Sequence, residues 1–147
     1  MKERFKTFTV LMTKIRRSIQ KIKAEEMAEF DLKIPHVSCL YYLYTEGNMT
    51  ATELCDICDE DKAAISRSIE QLESKGYVFC SSNTKKRYRA MISLTDEGKT
   101  VAKAVAKKVD RVLDTVSEGL SEEERVAFYR ALTLISNNLE KECKRYE

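Results

Sequence analysis

Apolar residues in the first part of the chain recur at alternating spacings of three and four. That period belongs to an α-helix whose apolar side chains form a narrow seam, of the kind that packs against a partner helix. Lysine and arginine residues occupy many of the positions between them. The sequence therefore predicts a long N-terminal helix that pairs with a helix of its own chain or of a second one. The seam residues are Phe5, Phe8, Met12, Ile15, Ile19 and Ile22.

Three shorter helices are predicted between residues 35 and 75. Pro35 suits the first turn of the first helix, where a missing N–H costs nothing. Thr50 and Glu53 have the spacing of a capping box for the second helix, Asp61 is an N-cap for the third, and Gly76 ends the third. The predicted buried faces are Val37, Leu40, Tyr41 and Tyr44 in the first helix, Leu54 and Ile57 in the second, and Ile65, Ile69 and Leu72 in the third.

The apolar period changes from 3.6 to 2 after the third of these helices. Residues 77–80 and 90–94 are β-rich runs joined by a polar, basic segment, which predicts a two-stranded hairpin. Thr95 then caps a long helix that Gly119 ends, and Ser121 opens a final helix through a second capping box. The predicted inward residues are Ala90, Ile92 and Leu94 in the second strand, Val101, Val105, Val109, Val112 and Val116 in the long helix, and Phe128, Leu132, Ile135 and Leu139 in the last helix.

This order of elements predicts a mainly α fold with a small β-hairpin. Residues 35–95 are expected to form a winged helix-turn-helix, in which a short helix and a brief turn precede a helix that enters the DNA major groove. Residues 1–34 are predicted to be an N-terminal dimerisation helix, and residues 96–147 are predicted to be C-terminal dimerisation helices. Their seams are longer than the small central unit can cover, so we expect them to pack together and against a second subunit.

The composition indicates a folded chain and argues against catalysis. Of the 147 residues, 43% are hydrophobic and 34% are charged, which is too apolar for a disordered chain. One histidine and four glycines argue against a catalytic triad, a histidine metal site or a glycine-rich phosphate loop. We therefore expect no enzymatic activity, no cofactor and no metal. Because the chain has neither a membrane-length apolar stretch nor an N-terminal signal peptide, no membrane partner and a cytoplasmic location are expected.

Basic residues concentrate in two places although the net charge is only +2. Residues 1–23 hold eight Lys and Arg against one acid, and residues 85–89 hold four bases and no acid. If the apolar stripe of the third short helix faces inward, its outward face is small and cationic, which permits close approach to base edges. A basic hairpin tip suits the negative potential of the minor groove. The candidate DNA-binding residues are Lys62, Ala63, Ser66 and Arg67 on the helix and Lys85, Lys86, Arg87 and Arg89 on the wing.

Over nearly its whole length the chain resembles the multiple-antibiotic-resistance regulator (MarR) family of winged-helix transcription factors. The resemblance is carried by DKAAISRSIEQLESKGYV at 61–78, ISLTDEG at 92–98 and LSEEER at 120–125. It implies a homodimer whose two lobes reach adjacent major grooves of a pseudo-palindromic double-stranded DNA site. It also implies a repressor that is released by a small-molecule effector, commonly a phenolic or lipophilic anion, or by thiol oxidation.

The wing departs from the pattern of this family. MarR proteins commonly carry Asp-x-Arg near the tip, with the aspartate orienting the arginine, and the matching positions here are Lys86 and Tyr88. The arginine is displaced to Arg87 or Arg89, so both stay candidates for the minor groove.

A ligand site is implied by the same resemblance, because ligand-responsive members hold effectors between the dimer helices and the winged-helix lobe. Met12, Arg16, Tyr41, Tyr42 and Tyr44 are the residues that line such a cleft here by resemblance. The competing interpretation is core packing, since aromatic residues at helical spacing usually pack against other helices.

The five cysteines are expected to be thiols rather than a disulfide framework. Cys55 and Cys58 form a C-x-x-C towards a helix end, outside a βαβ context, so burial is favoured over redox or metal chemistry. Cys39 is expected to pack in the first short helix, and His36 to be exposed or part of a cap. Two alternative functions stay open: a thiol redox protein that uses the C-x-x-C, and a winged-helix protein-interaction module without DNA binding. The second is motivated by four acids near the recognition helix, Asp56, Asp59, Glu60 and Asp61.

Overall fold

The computed structural model describes residues 2–81 and 89–147, apart from the side chains of Lys2 and Phe5. The chain forms two compact units, residues 1–109 and 110–147. The predicted division into residues 1–34, 35–95 and 96–147 stays a prediction. The described elements are α1 (Lys2–Phe5), a π-helical segment (Lys6–Val10), α2 (Leu11–Met27), a 3-10 turn (Ala28–Phe30), α3 (Ile34–Thr45), α4 (Ala51–Cys58), α5 (Lys62–Ser74), β1 (Val78–Cys80), β2 (Ile92–Leu94), α6 (Asp96–Val116), α7 (Glu122–Cys143) and a 3-10 turn (Lys144–Tyr146).

The start of α3 agrees with the prediction that Pro35 lies in the first turn of this helix. Asp31 adopts the left-handed conformation with φ of 51°, and Pro35 lies in the first turn of α3. The buried face of α3, however, includes Leu43 rather than Tyr44, which is 40% exposed. The prediction for Tyr44 as a buried residue is therefore wrong, and Tyr41 is only half-buried. Leu43 suits this buried face because it has no polar group, whereas burial of Tyr44 would remove its phenol hydroxyl from water.

His36 lies near the start of α3 and is buried, so the expectation of an exposed histidine is wrong and that of a capping role is correct. Its Nδ1 accepts a hydrogen bond from the backbone N–H of Lys33 at 3.3 Å. Burial lowers the pKa of His36, and the nearby Lys33 and Lys75 add to this effect. The neutral ring, which can accept that bond, is thus the form that the fold favours.

Capping boxes begin α4 and α7 as predicted. In α4 the backbone N–H of Glu53 donates to Thr50 Oγ1 at 3.3 Å, and the N–H of Thr50 donates to Glu53 Oε2 at 2.7 Å. Leu54 is buried as expected, but Ile57 is 36% exposed, so its predicted burial is wrong. Positions 54 and 58 are one turn apart and share a face, so Cys58 packs against the core in place of Ile57.

The predicted hairpin strands are present and form an antiparallel pair. Val78 pairs with Leu94, and Cys80 pairs with Ile92. Ile92 also forms a bridge with Met49, which donates its N–H to the Ile92 carbonyl at 3.2 Å and accepts one at 2.8 Å. No periodic pattern of apolar residues indicates this third partner of the hairpin. The bridge between Met49 and Ile92 connects the segment before α4 to the sheet at the base of the wing.

Thr95 and Gly98 join the sheet to α6. The Thr95 hydroxyl donates to the Gly76 carbonyl at 2.6 Å and accepts from the Gly98 N–H at 2.9 Å, so it caps α6 as predicted. Gly98 is buried against the backbone of Tyr77, and a Cβ added there would lie 1.8 Å from the Tyr77 carbonyl oxygen. Only glycine fits this close approach of strand and helix.

The terminal helices keep their apolar seams exposed. Along α2 the seam residues Met12, Ile15 and Ile19 are 38%, 46% and 48% exposed. In the second unit Phe128 and Leu139 are exposed as well, while Leu132 and Ile135 are half-buried. Exposed apolar side chains in a row of this kind are a surface that a partner helix can cover. No helix among the described residues has the length and the hydrophobicity to cross a membrane.

We predict that Gly98→Ala lowers the free energy of unfolding by at least about 2 kcal/mol, because the new methyl group forces strand and helix apart. Lys99→Ala is the matched control, since Lys99 is an exposed neighbour in the same helix turn. Urea unfolding of both variants measures the difference. Equal stability of Gly98→Ala and the parent chain would contradict the close packing at this joint.

Candidate nucleic-acid interface

Asp61 fixes the start of α5. Its Oδ1 accepts a hydrogen bond from the Ala64 N–H at 2.7 Å, which confirms the predicted N-cap. The cap satisfies one of the free N–H groups in the first turn and sets the direction of the helix from its first residue. The residues that follow are those that sequence analysis assigns to base and phosphate contacts.

The helix presents two different faces. Its buried face consists of Ile65, Ser68, Ile69 and Leu72. Its exposed face begins with Lys62 and continues through the other three predicted recognition residues, so the structure places all four on the same outward surface. Small side chains on this surface leave the helix backbone accessible, and the two cations provide donors for base edges or phosphates. The exposed residues are Lys62, Ala63, Ser66, Arg67 and Glu70.

A short turn joins α4 to α5. Asp59 takes the left-handed conformation with φ of 51°, and the N–H of Glu60 donates to the Cys55 carbonyl at 3.1 Å. This hydrogen bond satisfies one of the last carbonyls of α4, and three residues, 59–61, separate the two helices. The arrangement is a helix-turn-helix, with α5 in the position of the second helix.

The four acids in and next to this turn are all exposed, and one of them, Asp61, is also the cap of α5. The others are Asp56 in the last turn of α4, Asp59 and Glu60. Exposed carboxylates oppose the approach of phosphates and lower the affinity for DNA of any sequence. Because these acids lie next to α5, attraction of this surface to phosphates depends more strongly on the basic residues at the start of the helix and on the wing.

The wing is described only in part. The hairpin strands and Arg89 are present, and Arg89 is exposed. The predicted wing residues Lys85, Lys86 and Arg87 lie outside the described residues, so their role in DNA binding stays a prediction.

The predicted effector residues lie on two helices of the first unit. Met12 and Arg16 are exposed and one turn apart on α2, while Tyr41 on α3 contacts the Tyr42 ring edge-on with centroids 5.4 Å apart. Tyr44 is exposed on the last turn of α3. A groove of about 640 Å³ lies instead along α7, and none of the predicted effector residues lines it. The ligand assignment stays a prediction.

An ion-pair cluster that the sequence analysis missed ties α6 to the end of α2. Lys108 Nζ lies 2.7 Å from Glu29 Oε1 and 3.0 Å from the Glu26 carbonyl oxygen, and 5.6 Å from the centre of the Phe30 ring. The hydrogen bond to Glu29 is the main cause of the raised pKa of Lys108. The cluster joins α6 to the C-terminal end of α2, and it pairs residues that are about 80 positions apart in the chain.

The pKa values of the two C-x-x-C thiols, Cys55 and Cys58, are shifted in opposite directions. Burial raises the pKa of the Cys55 thiol, whereas a hydrogen bond from Cys39 lowers the pKa of Cys58. The partner of Cys58 is thus Cys39, which is buried on α3 as predicted. Among the residues of 2–81 and 89–147, no group of His, Cys, Asp and Glu side chains is arranged to hold a metal ion.

Comparison with known proteins agrees with this geometry, which defines a DNA-binding protein with a winged helix-turn-helix. Residues 36–113, just over half of the chain, match the family described as winged helix DNA-binding domain, and the chain belongs to that family. Among its relatives is the HTH-type transcriptional regulator YfiV of Bacillus subtilis, which is 27% identical over 134 residues, or 89% of this chain and 82% of YfiV. YwaE of the same organism, also an HTH-type transcriptional regulator, is 23% identical over 88% of this chain and 78% of its own length.

Solved structures show which winged-helix fold the chain adopts. The MarR family regulator NMB1585 from Neisseria meningitidis superposes with a TM-score of 0.83 at 19% identity, covering 98% of this chain and 99% of its own. The MepR–DNA complex from S. aureus gives a TM-score of 0.79 at 22% identity, with 90% and 97% covered. The fold is that of the MarR regulators, which confirms the resemblance seen in the sequence. With the family match and the HTH-type relatives, the predicted class of DNA-binding transcriptional regulator is confirmed as well.

We predict that Asp61→Ala lowers the free energy of unfolding by about 1 kcal/mol, because the first turn of α5 loses its cap. Asp61→Asn is the matched control, since its side-chain oxygen can still accept the Ala64 N–H. Thermal unfolding followed by circular dichroism compares the two. Equal losses in both variants would mean that the negative charge, and not the hydrogen bond, stabilises the helix start.

Proposed function

We propose that this protein is a homodimeric repressor that binds a pseudo-palindromic DNA site in the cytoplasm and responds to a small-molecule effector. The observation that carries the proposal is the exposed face of α5 directly after its Asp61 N-cap. The residues on this face are Lys62, Ala63, Ser66 and Arg67. Such a face fits the major groove, with Arg67 directed to guanine or phosphate and Ser66 to either. The protein carries out no chemical reaction on the DNA.

The dimer is supported by the exposed seams of the terminal helices. Apolar side chains are exposed along α2 and, separately, along α7, with Ile19 and Leu139 each 48% exposed. A second copy of the chain offers the same seams for mutual burial, which an isologous interface requires. Two copies of α5 then face adjacent major grooves of one duplex.

An effector is supported more weakly, by fold likeness. The structure of BpsR from Bordetella bronchiseptica, whose DNA binding is regulated by 6-hydroxynicotinic acid, superposes with a TM-score of 0.74 at 19% identity over 88% of this chain and 92% of its own. By analogy we assign a small-molecule site to the region of Met12, Arg16, Tyr41 and Tyr44. The Arg16 guanidinium suits an anionic group, and the tyrosine rings suit stacking against a planar ring.

The proposal is tested by fluorescence anisotropy. Binding to DNA from the region flanking the gene is compared with binding to a scrambled duplex of equal length. We expect selective binding whose affinity falls steeply as the salt concentration rises, because bound phosphates release counterions. Failure to bind any fragment in a genome-wide selection would overturn the proposal and favour the protein-interaction module.

We predict that Arg67→Ala weakens binding to the selected duplex by about tenfold or more while it changes binding to the scrambled duplex less, as expected for a base contact. Arg67→Lys is the matched control, because it keeps the charge and loses the bidentate fork. Anisotropy titrations of both variants on both duplexes measure the effect. Equal losses on the two duplexes, recovered in Arg67→Lys, would make Arg67 a phosphate contact instead.

We predict that alanine at Lys85, Lys86 or Arg87 lowers the slope of log affinity against log salt by about one for each phosphate contact removed. The same salt series measures it, with Lys141→Ala on α7 as the charge-matched control. An unchanged slope in the three wing variants would remove these residues from the interface.

A further inference from the structure

Glu70 is an acidic residue in the middle of the exposed face of α5. It follows Ser66 by four residues and Arg67 by three, so the three side chains lie on one side of the helix. Ile65 and Leu72, which are buried, lie on the opposite side. Core packing therefore holds a carboxylate among the residues that we propose to contact DNA, which are otherwise small or cationic.

The charged groups of Glu70 and Arg67 are available to a ligand. Among residues 2–81 and 89–147, no hydrogen bond or ion pair engages either side chain, although a spacing of three residues would let them pair. Lys75 at the end of the same helix, by contrast, lies 3.0 Å from Asp31. Glu70 and Arg67 can therefore contact DNA without the loss of a bond within the described part of the protein.

A carboxylate at this position discriminates between DNA sequences. Phosphates repel it, and it loses water when the helix enters the major groove, so it disfavours every site that offers it no hydrogen-bond donor. A donor on a base edge at the same place offsets this penalty with a charge-assisted hydrogen bond. Both the penalty and the bond increase selectivity, because specificity is the difference between the affinities for the correct and the wrong sites.

The donors that the major groove offers are the amino groups of cytosine and adenine. The adenine amino group lies between two acceptors, adenine N7 and thymine O4, which repel a carboxylate. The cytosine amino group has an acceptor, guanine O6, on one side only. A carboxylate therefore prefers cytosine, whereas a glutamine amide, which both donates and accepts, prefers adenine.

We propose that Glu70 is a specificity-determining residue, whose carboxylate accepts a hydrogen bond from the N4 amino group of a cytosine in each half of the DNA site. The assignment rests on the proposed function and adds one feature of the DNA site, a G·C pair that faces the middle of α5. Because the two copies of the chain are related by two-fold symmetry, this pair occurs once in each half-site.

Selection from a randomised duplex library by the full-length protein, followed by sequencing of the bound DNA, tests the assignment. We expect the parent chain and Glu118→Ala, whose exposed carboxylate lies in the second unit, to select the same site. Glu70→Ala is expected to lose the cytosine preference at one position in each half-site and to keep the preferences elsewhere. Glu70→Gln is expected to change that preference to adenine.

Anisotropy titrations measure the size of the effect on the selected duplex, on the same duplex with the C·G pairs replaced by T·A, and on a scrambled duplex. We expect the base change to weaken binding of the parent chain at least about tenfold and to leave binding of Glu70→Ala nearly unchanged. Glu70→Ala is also expected to bind the scrambled duplex more tightly than the parent chain does, because a repulsive charge is removed. A purely structural effect of the substitution would weaken binding to all of these duplexes.

The outcomes separate this assignment from the proposed function. Selection of the same bases at every position by Glu70→Ala and the parent chain would overturn the assignment and leave the proposed function in place. An equal loss of affinity of Glu70→Ala for all of the duplexes would do the same. A parent chain that selects no sequence would overturn the proposed function and the assignment together.

Discussion

Burial of one face of α5 is the interaction on which the rest of the structure depends. Ile65, Ile69 and Leu72 lie in the same core as Leu40 and Leu43 of α3, so rotation of α5 about its axis would bring polar positions into that core. The rotation is thereby fixed, and with it the identity of the residues that face outward. The exposed face of α5, which we propose faces DNA, is thus a consequence of core packing rather than a separate feature.

Two sets of contacts hold α6 to the rest of the first unit. At the base of the wing, Thr95 and Gly98 bring α6 against the strand that follows α5, at a distance that excludes any side chain at position 98. At the other end of α6 within the first unit, Lys108 binds Glu26 and Glu29 at the end of α2. A helix start that is fixed by packing and by its own cap can present the same face to DNA in each copy of the proposed dimer, as the proposed two-fold symmetric site requires.

Much of this fold could be predicted from the sequence, because its signals are local. The caps at Thr50, Asp61, Thr95 and Ser121 and the apolar stripe of α5 depend on neighbours within four residues, and each is where the sequence indicates. The errors concern contacts between elements. The burial of Leu43 in place of Tyr44, and the exposure of Ile57, depend on which neighbouring helix each face meets. The Lys108 cluster, the bridge at Met49 and the thiol pair of Cys39 and Cys58 join positions far apart in the chain, which periodicity does not report.

The most direct test of the central claim is lysine footprinting of the reduced protein with and without the selected duplex. Acetylation by a water-soluble ester, quantified for each lysine by mass spectrometry, reports which ammonium groups the DNA covers. The exposed face of α5 predicts that bound DNA protects Lys62 strongly, while Lys141 on α7 stays as reactive as in the free protein. A Lys62 that reacts equally fast in the free and the DNA-bound protein would contradict the assignment of α5 as the recognition helix.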